Sequence, residues 1–224
     1  VKTQWVFIPG LHGTAISFAP LLRILEGTVH ELPKEGPQDY ASLSPWFNSL
    51  AFPKKYVVVA ESFGGPLALL HASSRPKGLR GVVLLGSFAR MGVPGASLMS
   101  YLIPPLPLAS SVFKVVLQRL LFSGQASQAK LDNFQREVRG TSAWVFRARF
   151  QEVMRCDVRG ALPRIEVPVL SLRARADSMV PDLAEDDLKG IPKLRHGSIE
   201  SPHVIAATHP RELAKILGDF ERTL

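Results

Sequence analysis

The segment Tyr56-Val57-Val58-Val59-Ala60-Glu61-Ser62-Phe63-Gly64-Gly65 constrains this chain more than any other. Its first five residues are apolar throughout, the pattern of a central parallel strand covered on both faces. Pro66 to Ala72 then reads as a helix with proline in its first turn. Ser62 therefore falls on a strand-to-helix turn, in the pattern small-x-Ser-x-small formed by Ala60 and Gly64. A serine on such a turn takes a strained backbone to point its hydroxyl outward, and the positions two residues away stay small to clear the flanking strand and helix. The pentapeptide alone could be an incidental turn serine. At this junction it reads as a nucleophile.

The rest of the chain repeats the strand and helix alternation. Gln4 to Ile8 reads as a buried strand that stops at Pro9-Gly10, and Thr28 to Leu32 as a second strand after a helix carrying Phe18, Leu21, Leu22 and Leu25. A helix is expected over Tyr40 to Leu50. Leu79 to Leu85 returns as a strand, so strand, helix and strand form a right-handed βαβ unit. Between Ala89 and Leu131 the alternation gives way to a Gly/Pro/Ser-rich apolar stretch, with one helix bearing Phe113, Val116, Leu117 and Leu120 on a face. A helix from Ser142 to Arg155, strands at Val167 to Leu172 and Lys193 to Ile199, and a final helix with Leu213, Ile216, Leu217 and Phe220 complete the reading.

Composition narrows the class. The 224 residues are 46% hydrophobic and 21% charged, which excludes a disordered tail or a collagen-like repeat and suits one domain over residues 1–224. A single cysteine, Cys156, excludes an internal disulfide and a CxxC metal site. The net charge of +8 raises the question of nucleic acid. Its source is one acid-free stretch, Ser62 to Leu131, holding Arg75, Lys77, Arg80, Arg90, Lys114, Arg119 and Lys130. These are spread thinly through apolar sequence, so no nucleic-acid partner is expected. They form either a solvated basic face or a positive field that draws anionic esters toward the site. The apolar run Tyr101 to Leu108 is too short and too rich in proline to insert stably in a membrane. The expected location is the cytoplasm, and a start at Val1 leaves room for a leader removed upstream.

With these motifs, the chain resembles the α/β-hydrolase superfamily, and in particular its small lidded carboxylesterase-like serine hydrolases. Three motifs carry the resemblance: the Ser62 turn, with Ala60 where glycine is commoner; Pro9-Gly10-Leu11 after the first strand; and an acid and a histidine downstream in the order nucleophile, acid, histidine. The resemblance implies a mostly parallel central sheet flanked by helices, with residues 89–131 as a helical lid. It implies Ser62, Asp177 and His203 as a catalytic triad, and backbone N–H groups of Leu11 and Phe63 as the oxyanion hole. Asp177 stands in Ala174-Arg175-Ala176-Asp177 after a strand; Asp182, Glu185, Asp186 and Asp187 are competing acids. His203 stands in Ser201-Pro202-His203, ahead of the last helix.

The implied activity is cleavage of small to medium acyl esters through an acyl-enzyme, needing no metal or organic cofactor. His12, Ser87, Met91 and Tyr101 are candidate contacts to a small-molecule ester substrate. Thioesterase, acyltransferase, lactonase or C–C bond hydrolase chemistry would use the same groups, and a ligand-binding module on this scaffold is the non-enzymatic alternative. Nothing in the sequence speaks to oligomeric state.

Overall fold

The computed structural model of the protein describes residues 2–91 and 107–224. Six strands form one sheet: β1 (Gln4–Ile8), β2 (Gly27–Val29), β3 (Tyr56–Glu61), β4 (Leu79–Leu85), β5 (Val169–Ala174) and β6 (Leu194–Ile199). Their order is β2-β1-β3-β4-β5-β6, and every neighbouring pair is parallel. From β1 the chain crosses outward to edge strand β2. From β3 it crosses the opposite way to β4. The carboxyl ends of β1 and β3 thus flank the point where the winding reverses, the place where sheets of this kind open a crevice for a ligand.

Helices cover both faces. On one side α1 (Tyr40–Asn48) and α2 (Gly64–Ser73) bring Tyr40, Leu43, Phe47, Leu67 and Ala68 against Val58, Ala60 and Val82. On the other, α8 (Pro210–Glu221) seats Leu213, Leu217 and Phe220 against Val57, Val59 and Val83. This double burial is why β3 is apolar at successive positions. Asp39 caps α1, its carboxylate accepting from the Ser42 N–H at 2.8 Å.

Between β4 and β5 lies a helical insertion. α3 (Ser111–Val116) runs into a π-turn at Leu117–Leu121 and is followed by α4 (Gln128–Val138) and α5 (Ala143–Arg155). Each helix starts on a serine whose hydroxyl accepts a backbone N–H: Ser110 from Phe113, Ser127 from Lys130, Ser142 from Val145. α4 spans Leu131, the residue at which the sequence pattern suggests the insertion ends. Short helices α6 (Leu183–Asp186) and α7 (Ile205–Thr208) flank β6. Among the described residues, no helix is long and apolar enough to cross a membrane.

Two local expectations are corrected. The helix expected around Phe18 to Leu25 is a pair of single 3₁₀ turns, Ala15–Ser17 and Leu21–Arg23. Pro20, between them, has no N–H to continue a helical ladder. The second strand is Gly27–Val29 instead of Thr28 to Leu32, because β1 ends at Ile8 and the following Pro9 offers no N–H for pairing.

Candidate active site

β3 ends at Glu61 and α2 begins at Gly64, leaving Ser62 at φ 48°, a left-handed conformation that costs a residue with a Cβ about 1–3 kcal/mol. Hydrogen bonds hold it there. The Ser62 N–H donates to Leu85 O (3.0 Å), and its carbonyl accepts from the Gly65 N–H (2.9 Å) and the Ser87 hydroxyl (2.7 Å). The glycines explain themselves sterically: a Cβ on Gly64 would lie 2.9 Å from both Ile8 Cγ2 and Pro9 O, and one on Gly65 would overlap the Ser87 side chain.

Beyond β5, the Asp177 carboxylate is fixed by two backbone donors, the N–H groups of Met179 (2.6 Å) and Val180 (3.2 Å), both on Oδ1. Its Oδ2 lies 2.7 Å from His203 Nδ1, and both side chains are buried. Gly86, at φ 49°, packs its backbone against this pair: a Cβ there would sit 3.1 Å from Asp177 Oδ2 and 3.2 Å from His203 Nδ1. Burial pulls the His203 pKa down, but the Asp177 hydrogen bond and charge, with the charge of Glu61, outweigh it and leave the pKa raised.

The competing acids are engaged elsewhere: Asp182 with Arg173, Glu185 with His196, Asp186 with Lys189, and Asp187 with Arg90. His71 bonds Tyr56 and Asn48, and burial lowers its pKa to about 4. His30 packs on Phe47 and Phe52.

The Pro9-Gly10-Leu11 loop lies against the Ser62 turn; a Cβ on Gly10 would be 3.4 Å from Ser62 Cβ. Among the described residues, neither the Leu11 nor the Phe63 amide N–H has a hydrogen-bond partner. Phe63 is held by Tyr40, whose ring stacks on it and whose hydroxyl donates to its carbonyl at 2.8 Å. Leu11 is held by Arg149 of α5, a fully buried guanidinium that donates to Leu11 O (3.0 Å), Pro33 O (2.8 Å) and Gln38 Oε1 (2.8 Å). Burial lowers the Arg149 pKa to about 10.

Ser62, His203 and the Gly10-Leu11 loop open into one cavity of about 150 Å³. Ser62, His203, His12 and Glu61 are its only polar lining side chains among the described residues; the rest of the wall is apolar, drawn from Leu11, Met91 and the insertion helices, with Phe113, Phe134 and Phe146 among them. Of the candidate substrate contacts, His12 and Met91 line this cavity. Ser87 instead bonds the Ser62 carbonyl and borders a separate recess beside Asp177. Tyr101 lies outside the described residues. Among the described residues, no group of three His, Cys, Asp or Glu side chains is arranged to hold a metal ion.

Two residues at this site are absent from the sequence reading. Glu61 had a signal, its position directly before the nucleophile candidate. Arg149 had none: in sequence it is one cation on an amphipathic helix.

Comparison with known proteins agrees with this architecture. Among proteins of curated function, none matches the chain in sequence. A hydrolase from Oleispira antarctica superposes with a TM-score of 0.82 at 12% identity, covering 100% of this chain and 92% of its own. The enol-lactonase from Burkholderia xenovorans LB400 gives 0.80 at 16% identity, covering 98% and 92%. A thermophilic esterase from Thermogutta terrifontis gives 0.79 at 17% identity, covering 100% and 90%. The family model of the alpha/beta hydrolase family matches residues 5–216, and with that span, almost its full length, the chain belongs to the alpha/beta hydrolase family.

Proposed function

We propose that the protein is a serine carboxylesterase that cleaves small to medium acyl esters through an acyl-enzyme on Ser62. The observation that carries this reading is that His203, paired with Asp177 at 2.7 Å, opens together with the strained Ser62 into an apolar-walled cavity. Asp177 accepts a hydrogen bond from the Nδ1–H of His203, which leaves Nε2 as the base. Ser62 Oγ attacks the ester carbonyl as His203 takes its proton, and the carbonyl π electrons move onto oxygen. The Leu11 and Phe63 N–H groups receive that oxyanion; losing one such donor costs about 10² to 10³ in rate. His203 then protonates the departing alcohol. A water, deprotonated by His203, attacks the acyl-enzyme, and His203 returns that proton to Ser62 Oγ as the acid leaves.

The apolar wall suits a hydrocarbon acyl or alcohol part, since each buried methylene contributes about 0.8 kcal/mol. Residues 89–131 serve in this reading as the lid; among the described residues, α3 and the turn after it line the wall together with α4 and α5, and Met91 and His12 touch the substrate. Ser87 supports the nucleophile turn through the Ser62 carbonyl.

A series of p-nitrophenyl esters from acetate to laurate tests the proposal. Turnover of the shorter members, abolished in Ser62→Ala, is the expected result. Absence of turnover on every ester, or equal turnover by Ser62→Ala, would overturn it.

A further inference from the structure

We propose that Glu61 is a positioning residue for His203: a second buried carboxylate which, alongside Asp177, supports the imidazolium while the proton of Ser62 is in transit. The inference rests on the triad reading above and adds a residue to it. Glu61 immediately precedes Ser62 and lines the same cavity, and its side chain is 1% exposed. A Cβ on Gly10 would sit 3.4 Å from Glu61 Oε2 and 3.4 Å from Ser62 Cβ, so carboxylate and nucleophile flank one point.

The way Glu61 is held points to retained charge. The Thr14 N–H donates to His12 Nδ1 at 3.2 Å, which makes Nδ1 an acceptor and puts the His12 proton on Nε2. That Nε2–H faces Glu61 Oε2 at 3.3 Å. Glu61 Oε1 is fully buried without a hydrogen-bond partner. A glutamine would serve His12 equally well through its amide oxygen, so packing alone does not call for an acid at this position, and a half-satisfied buried carboxylate is a cost. A charge needed by the neighbouring base accounts for it. Burial pushes the Glu61 carboxyl pKa up, but the His12 hydrogen bond and the charge of His203 outweigh it and hold it lowered.

Asp177, from the loop after β5, holds His203 Nδ1 at 2.7 Å, and Glu61, at the end of β3, lines the cavity into which His203 opens; both charges favour the imidazolium. Of the nearby cations, Lys130 of α4 is bound to Ala207 O (3.0 Å) and Arg149 of α5 to the Leu11 loop. In the acylation step the Ser62 O–H bond breaks, the His203 Nε2–H and Ser62 Oγ–carbon bonds form, and Glu61 neither gains nor loses a proton. Its effect is felt only through His203.

Glu61→Gln tests this, because it removes the charge and keeps the shape. In a Ser62→Ala background the His203 ring titration, followed by NMR, should fall by about one pH unit, the low end for loss of a close opposite charge. With Ser62 intact, the acid limb of kcat/KM should move down equally and the high-pH plateau should drop several-fold, with KM little changed. His12→Leu offers the same readout with Glu61 in place: stripped of its donor, the buried carboxyl has its pKa raised, holds less charge, and the His203 midpoint falls. An unmoved midpoint in whichever variant folds overturns the proposal. Failure of a fluorophosphonate to label Ser62 in the parent protein would instead sink the triad reading, so the two failures are told apart.

Discussion

The Ser62 turn and the helical insertion are built on different principles. Around Ser62 the backbone decides: a continuous strand, a left-handed residue and glycines whose missing Cβ atoms leave room for Ile8, Pro9 and Ser87, all within a short stretch of chain. In the insertion, side chains distant in sequence decide. Phe113 meets Phe146 edge to face at 5.8 Å and Phe122 meets Phe134 at 5.5 Å, while the Gln135 amide donates to Leu108 O (2.8 Å) and Ser110 O (2.9 Å). Its outer surface leaves Val112 and Trp144 each 67% exposed. A site whose chemistry sits on a backbone-defined turn can keep that chemistry while the surrounding wall is varied. Arg149 is where the two meet, since a helix of the insertion holds the carbonyl of Leu11 through it.

If the sheet end carries the chemistry, its substitutions should dominate. Asp177→Asn should keep the fold, with the same far-UV circular dichroism, while kcat/KM falls by about 10⁴-fold, because the amide favours the wrong tautomer of His203. Arg149→Met probes the junction. It orphans three acceptors but also removes a buried charge, so the loss of stability should be about 2 kcal/mol by urea unfolding. Activity should fall with it, because the Leu11 loop loses its anchor. A loss of stability with unchanged kcat would show that the insertion does not govern the oxyanion loop.

The pH responses separate the charged groups. Activity should decline on acidification with a midpoint above the ordinary histidine value, since His203 must be neutral to accept a proton and its pKa is raised. Stability linkage runs in opposite senses for the buried His203 and Glu61. The His203 contribution is full below its unfolded pKa and is lost as pH rises through the higher folded value. The Glu61 contribution is present above its unfolded pKa and is lost as pH falls through the lower folded value. Urea midpoints measured across the pH range should show both, and Glu61→Gln should remove the acid-side loss.

The smallest effect is expected at Cys156, whose thiol is buried on Ala89 O (3.5 Å) with its pKa raised by burial and by the Glu152 and Asp157 charges. Native protein should resist iodoacetamide with full activity retained, as mass spectrometry would read.

The legibility of each region in sequence follows from the same contrast. β1, β4 and the core of β3 are plain because segments buried on both faces are apolar at successive positions, Trp5 to Ile8, Val82 to Leu85 and Tyr56 to Ala60, and the Ser62 turn is plain because its small neighbours are a local steric requirement. α4 is hidden: its apolar positions, Leu131, Phe134 and Val138, alternate with charges and follow a Gly- and Ser-rich stretch that reads as loop, and only Ser127 marks its start. The paired turns after β1 mislead because Phe18 and Leu21 have helical spacing while Pro20 denies the ladder. Arg149 is invisible as a site residue because its partner Leu11 lies 138 residues away, and no local pattern encodes such a pairing; Glu61 shows its place beside Ser62 but not its pairing with His12, 49 residues away.

Fluorophosphonate labelling with peptide mapping tests the central claim most directly, since the probe reacts with a serine only where a base and an oxyanion site activate it. The account predicts one adduct, on Ser62, formed faster as pH rises through the His203 pKa and absent in Ser62→Ala. No adduct on the native protein, or an adduct that survives Ser62→Ala undiminished, would contradict it.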